Sequence, residues 1–348
     1  MVHNRLTHSL EVASVGRSIA CRVVQKLMDK YPILESHQSD IETIVTTACL
    51  AHDLGNPPFG HSGEDTISGF FKDGAGQAFQ QQVKPEQWSD LVSFEGNANA
   101  FRLLTHQFEG RRRGGFVMTY STLASIVKYP YASSAASKKG KFGFFCSERG
   151  NYQKIADELG IFCTSKPGEP LRYVRHPLVY LVEAADDICY EIMDLEDAHK
   201  LKIISFEDVT SLLLNFFDET EQNHILERIA TEGLADENEK VVYMRARVIG
   251  LLENECVNTF VKHEQEILNG VALGQRDVRD GQRQCLDVHR EDGHLGHWHH
   301  GQELAAEQHW QQQRQRDGQP YQHRRYKQQR QLDLPVDDDV TLLSVPTQ

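Results

Sequence analysis

Four widely separated side chains have the chemistry of a divalent-metal site: His8, His52, Asp53 and Asp186. Two imidazoles and two carboxylates form a mixed nitrogen and oxygen donor set. Such a set suits a divalent cation and leaves positions for water and phosphate oxygens. His52 and Asp53 are adjacent in the run Ala51-His52-Asp53-Leu54-Gly55. Neighbouring residues on a helix point about 100° apart, but at a frayed helix end both can turn toward one ion. The pair alone is a weak motif, and a lone helical histidine such as His8 is more often structural or solvated. Asp186 is more informative, because it borders an apolar stripe of Leu181, Val182, Ala185, Ile188, Cys189 and Ile192. A carboxylate there is costly unless it is paired or bound to metal. The alternative is a salt-bridged face with Glu183, Asp187 and Glu191 as solvated surface. Tyr190 and Asp194 follow Asp186 at helical spacing, so one face presents Asp, Tyr and Asp in line.

After the His-Asp pair comes Asn56-Pro57-Pro58-Phe59-Gly60-His61-Ser62-Gly63-Glu64. Two prolines and two glycines fix a tight loop. It carries His61 and Glu64, a pairing that suits a general acid or nucleophile with its orienting partner; the alternative is a plain connection between helices. Arg5, Asn97, Arg102, Lys128, Tyr129 and Lys141 are compatible with phosphate contacts, although each alone is more often a surface side chain. The run Arg111-Arg112-Arg113-Gly114-Gly115 could touch phosphate or nucleic acid, or be a solvated loop. No Walker loop and no dinucleotide fingerprint is present.

Helix-period patterns supply the elements to hold these residues. The first helix carries Leu6, Leu10, Ala13, Ile19, Val23 and Leu27. A second is predicted from Asp40 to Leu54, with Ser39 and Glu42 as a capping box and Gly55 with Pro57 as its stop. A third runs from Leu178 to about His199, with Pro177 at its first turn. Further helices are predicted near 97–107, 119–128, 151–159, 206–217, 221–231 and 239–269. Strand signals are few, and Phe142 to Cys146 could form at most a small hairpin. The fold class read from this pattern is all-α.

The bulk numbers narrow the function. A formal net charge of −13 argues against broad attraction to nucleic acid or anionic membrane. A polyanionic substrate would need local Lys, Arg or metal. Seven scattered cysteines, with no Cys-x-x-Cys pair, read as reduced thiols. No signal-peptide pattern and no bilayer-length apolar run is present, so the expected location is cytoplasmic. Beyond about residue 270 the chain is crowded with Gln, Arg, His, Asp and Gly, and its apolar residues lack a sustained period. The division expected is a folded domain over 1–270 and a disordered or aberrant tail over 271–348. A frameshifted reading would produce the same abrupt change. Seven of the 17 histidines lie in this tail, including His294, His297, His299 and His300. The simplest expectation is adventitious metal binding there.

Five segments together resemble the HD-domain deoxynucleotide triphosphohydrolases, the bacterial dGTPase-like family. They are Arg5-Leu6-Thr7-His8-Ser9-Leu10-Glu11-Val12; His52 through His61; Phe94-Glu95-Gly96-Asn97-Ala98; Val127-Lys128-Tyr129-Pro130; and Glu183 through Tyr190. The resemblance covers roughly residues 1–270 and implies an HD-domain helical bundle. It implies that His8, His52, Asp53 and Asp186 hold the metal and that His61 and Glu64 form the catalytic pair. It places Asn97, Lys128, Tyr129 and Lys141 on the triphosphate, with Arg5 helping to offset its charge, and Tyr190 and Asp194 on the sugar. The cofactor implied is Mg²⁺ or Mn²⁺, with Co²⁺ or Fe²⁺ as alternatives. A homo-oligomer, commonly a hexamer, is the implied assembly; single-stranded DNA would be an effector that the charge does not support. Family members carry a base-contacting segment before the first ligand histidine, which this chain is expected to lack. The activity implied is cleavage of a dNTP, with dGTP the expected substrate, into deoxynucleoside and inorganic tripolyphosphate. The alternatives are a different HD-type nucleotide phosphohydrolase and a non-catalytic nucleotide-binding relative.

Overall fold

Helix α1 (Arg5–Leu27) starts where the sequence supplies a cap. The Asn4 side chain accepts hydrogen bonds from the Leu6 and Thr7 amides, and the Thr7 hydroxyl accepts from the Asn4 amide. This reciprocal box satisfies donors that a helix start leaves unpaired. The computed structural model describes residues 3–110, 115–136 and 140–270, all within one unit, Met1–Glu291. The Arg111–Arg113 run and the 271–348 segment, with its histidines, lie outside the described residues.

The described chain continues through α2 (Leu34–Ala51), α3 (Gly60–Lys72), α4 (Pro85–Val92), α5 (Gly96–Thr105), α6 (Tyr120–Ile126) and α7 (Arg149–Leu159). Then come α8 (Val179–Lys200), α9 (Phe206–Leu214), α10 (Glu219–Thr231), α11 (Glu237–Lys262) and α12 (Glu264–Leu268). Single 3₁₀ segments occupy Ala75–Gln82 and Ser133–Ala135. Among the described residues only isolated bridges pair extended backbone: Tyr131 with Arg172, Ala132 with Phe144, and Cys163 with Tyr173. The Phe142–Cys146 run forms no hairpin. Phe142 and Phe145 instead pack with Ala98 into a buried cluster lined by Phe94 and Tyr131. The architecture is all-α.

The core is a seam in which α1 packs against α2, α8 and α11, while α8 packs against α11 and α2. Val12, Ile19, Val45, Ile188 and Val248 are buried along it. Each such side chain contributes roughly 1.5–3 kcal/mol. Exposed ion pairs such as Arg228–Glu232 contribute about 1 kcal/mol or less, so the seam decides where α1, α2 and α8 meet. Gly16 lets α1 approach α2 closely, because a Cβ there would stand 2.6 Å from Cys49 Sγ.

Three local expectations need correction. Leu6 and Leu10 are 70% and 53% exposed; they occupy the first turns of α1, whose packed stripe begins at Val12 and Ala13. Helix α2 begins at Leu34, not Asp40. Turn bonds from Leu34 N to Tyr31 O and from Glu35 N to Pro32 O lead into it. Ser39 is internal to that helix, and Glu42 accepts from Gln38 and Arg17 instead of capping it. Helices α3 and α4 have no counterpart among the predicted elements. The tight loop does exist, but it is short: Phe59 and Gly60 adopt left-handed φ values of 65° and 54°, and α3 starts there.

Candidate metal centre and its surroundings

Helix packing delivers three of the four proposed metal ligands to one point. His8 closes the first turn of α1, His52 is the C-cap of α2, and Asp186 lies in the N-terminal half of α8. Asp186 Oδ1 is 3.1 Å from His8 Nε2 and 3.3 Å from His52 Nε2. One donor atom from each residue falls within 4.8 Å of the others. The two imidazole centroids are 5.6 Å apart. Asp53 Oδ1 is 3.4 Å from His52 Nε2 and accepts a 2.6 Å hydrogen bond from Asn56 Nδ2. It borders the three-residue group without belonging to it.

The chemistry of this donor set fits a divalent cation. His52 Nδ1 donates to the Cys49 carbonyl at 2.6 Å. That bond fixes the ring and turns Nε2 toward Asp186, as a metal-ligating histidine requires. Nε2 is buried and lacks a well-formed hydrogen-bond partner. Burial opposes charge on His52, but the Asp186 and Asp53 carboxylates raise its pKa to about 9. Burial likewise opposes charge on Asp186, yet the His52 and His8 imidazoles hold its carboxyl well below the usual range. A cation binding here would take the place of the proton that this triad otherwise shares.

The remaining candidates form two groups. On one side Lys128 Nζ is 2.8 Å from Glu183 Oε1, and Arg175 Nη1 is 2.6 Å from Glu183 Oε2. Glu183 precedes Asp186 by one helical turn on α8, so it is a partly buried counter-ion and not solvated surface. The Tyr129 ring centroid lies about 6 Å from each of the two cations. Burial opposes the Lys128 charge, but Glu183 and Asp187 raise its pKa above the ordinary lysine value. On the other side Lys141 Nζ donates to Glu64 Oε2 at 3.2 Å and to Glu95 Oε1 at 3.1 Å. Asn97 Nδ2 donates to the same Glu95 oxygen at 2.7 Å.

His61 lies in the first turn of α3 and Glu64 begins the second, but no hydrogen bond joins them among the described residues. Glu64 is buried and accepts from the Gly96 amide at 2.8 Å and from Lys141, while His61 is exposed. Arg5 donates to the Asn56 and Pro57 carbonyls at 3.0 and 2.8 Å, bracing the loop between the His-Asp pair and α3. Arg102 is engaged by Ser147 and Glu148. Tyr190, half exposed, and Asp194, partly buried, lie C-terminal to Asp186 on α8. Sequence reasoning missed Glu95, Arg175 and the pairing role of Glu183. Glu95 and Glu183 stand inside two of the motif segments, but nothing local distinguishes a buried counter-ion from a surface carboxylate.

Comparison with known proteins identifies similar chains. The family model described as "HD domain" matches residues 5–128. A "Deoxyguanosinetriphosphate triphosphohydrolase-like protein" from Pseudomonas aeruginosa (strain LESB58) is 41% identical over 282 residues, covering 78% of this chain and 61% of that protein. A protein of the same description from Synechocystis sp. is 36% identical over 280 residues, 77% of this chain and 61% of its own length. A "Deoxyguanosinetriphosphate triphosphohydrolase" from Yersinia enterocolitica is 29% identical over 332 residues, 82% of this chain and 62% of its own length. The chain thus spans about three fifths of the length of these relatives.

Proposed function

This chain belongs to the HD-domain family and is similar over most of its length to deoxyguanosinetriphosphate triphosphohydrolase-like proteins; on that premise we propose that it is a metal-dependent hydrolase of deoxynucleoside triphosphates. The observation that carries the reading is the mutual approach of His8, His52 and Asp186, with Lys128 paired one helical turn from Asp186. The reaction proposed is attack of water on the α-phosphorus of a dNTP, dGTP foremost. The P–O5′ bond breaks, the 5′-oxygen takes a proton, and the products are deoxynucleoside and inorganic tripolyphosphate.

His8, His52 and Asp186, with Asp53 beside them, would hold the ion, proposed as Mg²⁺ or Mn²⁺. A bound divalent cation supplies Lewis-acid polarisation of a phosphate oxygen. The protein's own groups supply the rest. His61, exposed at the first turn of α3, transfers the proton between the attacking water, the leaving oxygen and solvent. Glu64, one helical turn further along α3, would be its orienting partner. Lys128, Tyr129, Lys141, Asn97 and Arg5 offset or bind the triphosphate charge on a chain of net charge −13. Tyr190 and Asp194 would meet the sugar. A homo-oligomer is the assembly proposed.

The test is incubation of the protein with each dNTP and Mg²⁺ or Mn²⁺, followed by identification of the phosphate product. Tripolyphosphate supports the reading. Orthophosphate would point to a different HD phosphohydrolase, and binding without turnover to a non-catalytic relative. His61→Ala should lose at least about 100-fold in turnover, the lower bound for general acid–base catalysis, while retaining metal. Full activity in that variant overturns the His61 assignment.

A further inference from the structure

Glu95 is 1% exposed, the lowest exposure of any charged side chain among the described residues, and the proposed reaction gives it no role. It is the N-cap residue of α5, yet its side chain does not cap that helix. Glu95 Oε1 accepts from both Asn97 Nδ2 and Lys141 Nζ. Its other oxygen, Oε2, is buried without a hydrogen-bond partner. The peptide that follows it, at Gly96, donates to Glu64 Oε1. One residue and its adjoining peptide therefore anchor Asn97, Lys141 and Glu64 together.

A buried carboxylate with one orphaned oxygen is a poor structural choice. An apolar side chain of similar size would fill the space without the desolvation cost. The arrangement makes sense if the charge is needed to hold Lys141. A lysine ammonium has three donors on a flexible four-carbon stem. Glu64 and Glu95 use two of those donors, which leaves one N–H for a further acceptor. Restraining the stem before an anion arrives removes ordering entropy from the binding step.

We propose that Glu95 is a positioning residue: it holds Lys141 and Asn97 beside Glu64 so that the remaining Lys141 donor meets a phosphate oxygen of the substrate. This rests on the triphosphohydrolase reading for the identity of the anion. A role through electrostatic field alone has the opposite sign, because removing a buried negative charge would strengthen anion binding.

The experiment measures binding of inorganic tripolyphosphate to the full chain with Mn²⁺ by titration calorimetry, so that it does not depend on turnover. Four proteins are compared: wild type, Glu95→Gln, Lys141→Met and the double variant. Glu95→Gln is isosteric and keeps an acceptor oxygen, but it replaces the Lys141–Glu95 ion pair with a hydrogen bond whose only charge is on the lysine. The expected result is roughly three- to tenfold weaker binding in the wild-type background. A clearly smaller loss is expected in the Lys141→Met background, the remainder acting through Asn97. Equal loss in both backgrounds would mean a merely structural role and overturns the proposal. Unchanged or tighter binding by Glu95→Gln overturns it, as does a wild-type protein that does not bind tripolyphosphate. If the wild type binds tripolyphosphate in this pattern but releases none from any dNTP, the hydrolase reading fails and the Glu95 assignment stands.

Discussion

Acid should unlatch the start of helix α8 through His176. This partly buried imidazole precedes Pro177 at the entry to the helix that carries Asp186. Its Nδ1 accepts from the Leu178 amide at 3.3 Å and lies 3.3 Å from the Ser125 hydroxyl. Nδ1 must therefore be unprotonated. Desolvation drives the His176 pKa from 6.5 down to about 4. The unfolded chain takes up this proton near pH 6.5, whereas the folded chain does so only near pH 4. Between those values protons favour the unfolded state. The stability tied to neutral His176 is fully present above pH 6.5, falls through the window, and is gone below pH 4. A gap of roughly 2.5 units at 1.36 kcal/mol each corresponds to about 3 kcal/mol. For a domain of this size that is roughly 6–12 °C in melting temperature. His176→Asn removes the titration but leaves a side-chain oxygen able to accept near the Nδ1 position. Melting temperatures of both proteins from pH 7 to pH 4, at fixed ionic strength, provide the assay. Carboxylates titrate in both, so the difference between the two curves isolates His176. The wild type should fall more steeply and approach the variant near pH 4. Parallel curves across the whole range would refute the reasoning.

Other consequences follow from the same geometry. Asp186→Asn should weaken Mn²⁺ binding at least about 100-fold, the upper figure for outer-sphere partners of a metal, measured by calorimetry on protein whose circular dichroism is unchanged. Mn²⁺ at about 100 times its dissociation constant should stabilise the wild type by about 2.7 kcal/mol; a thermal shift of the same size in Asp186→Asn would exclude this site as its source. Gly55→Ala should destabilise by about 1–3 kcal/mol in urea unfolding, because a Cβ at that position would overlap the Gly96 carbonyl and the Ala100 amide. A neutral outcome there would mean that the loop and the start of α5 are not tightly apposed.

Much of this molecule could be read locally. The apolar repeat from Leu181 to Ile192 and Pro177 predict a helix over 178–199, and α8 spans Val179–Lys200. The all-α class, the helices near 97–107 and 151–159, and the His-Asp pair at the end of an apolar helix are legible for the same reason. Each is recorded in residues a few positions apart. The errors lie where two local signals competed. Ser39 and Glu42 satisfy a capping pattern but sit inside α2, because the turn after Pro32 starts the helix earlier and Glu42 is engaged by Arg17 from α1. Two prolines and two glycines mark the 56–64 loop, and they hide the helix that begins at Gly60.

Sequence alone determined which residues could ligate a cation and which helices would carry them. Tertiary structure decided which of them meet. His8 and Asp186 are 178 positions apart and become neighbours only because the apolar faces of α1 and α8 pack together. It also decided that Glu64 answers to Lys141 and Gly96 instead of its sequence neighbour His61, and that Glu95 and Glu183 are buried counter-ions. Helix periodicity is encoded within a turn or two, so it can be read along the chain. The partner of a charged side chain is set by whichever distant element excludes water around it, and no local pattern records that choice.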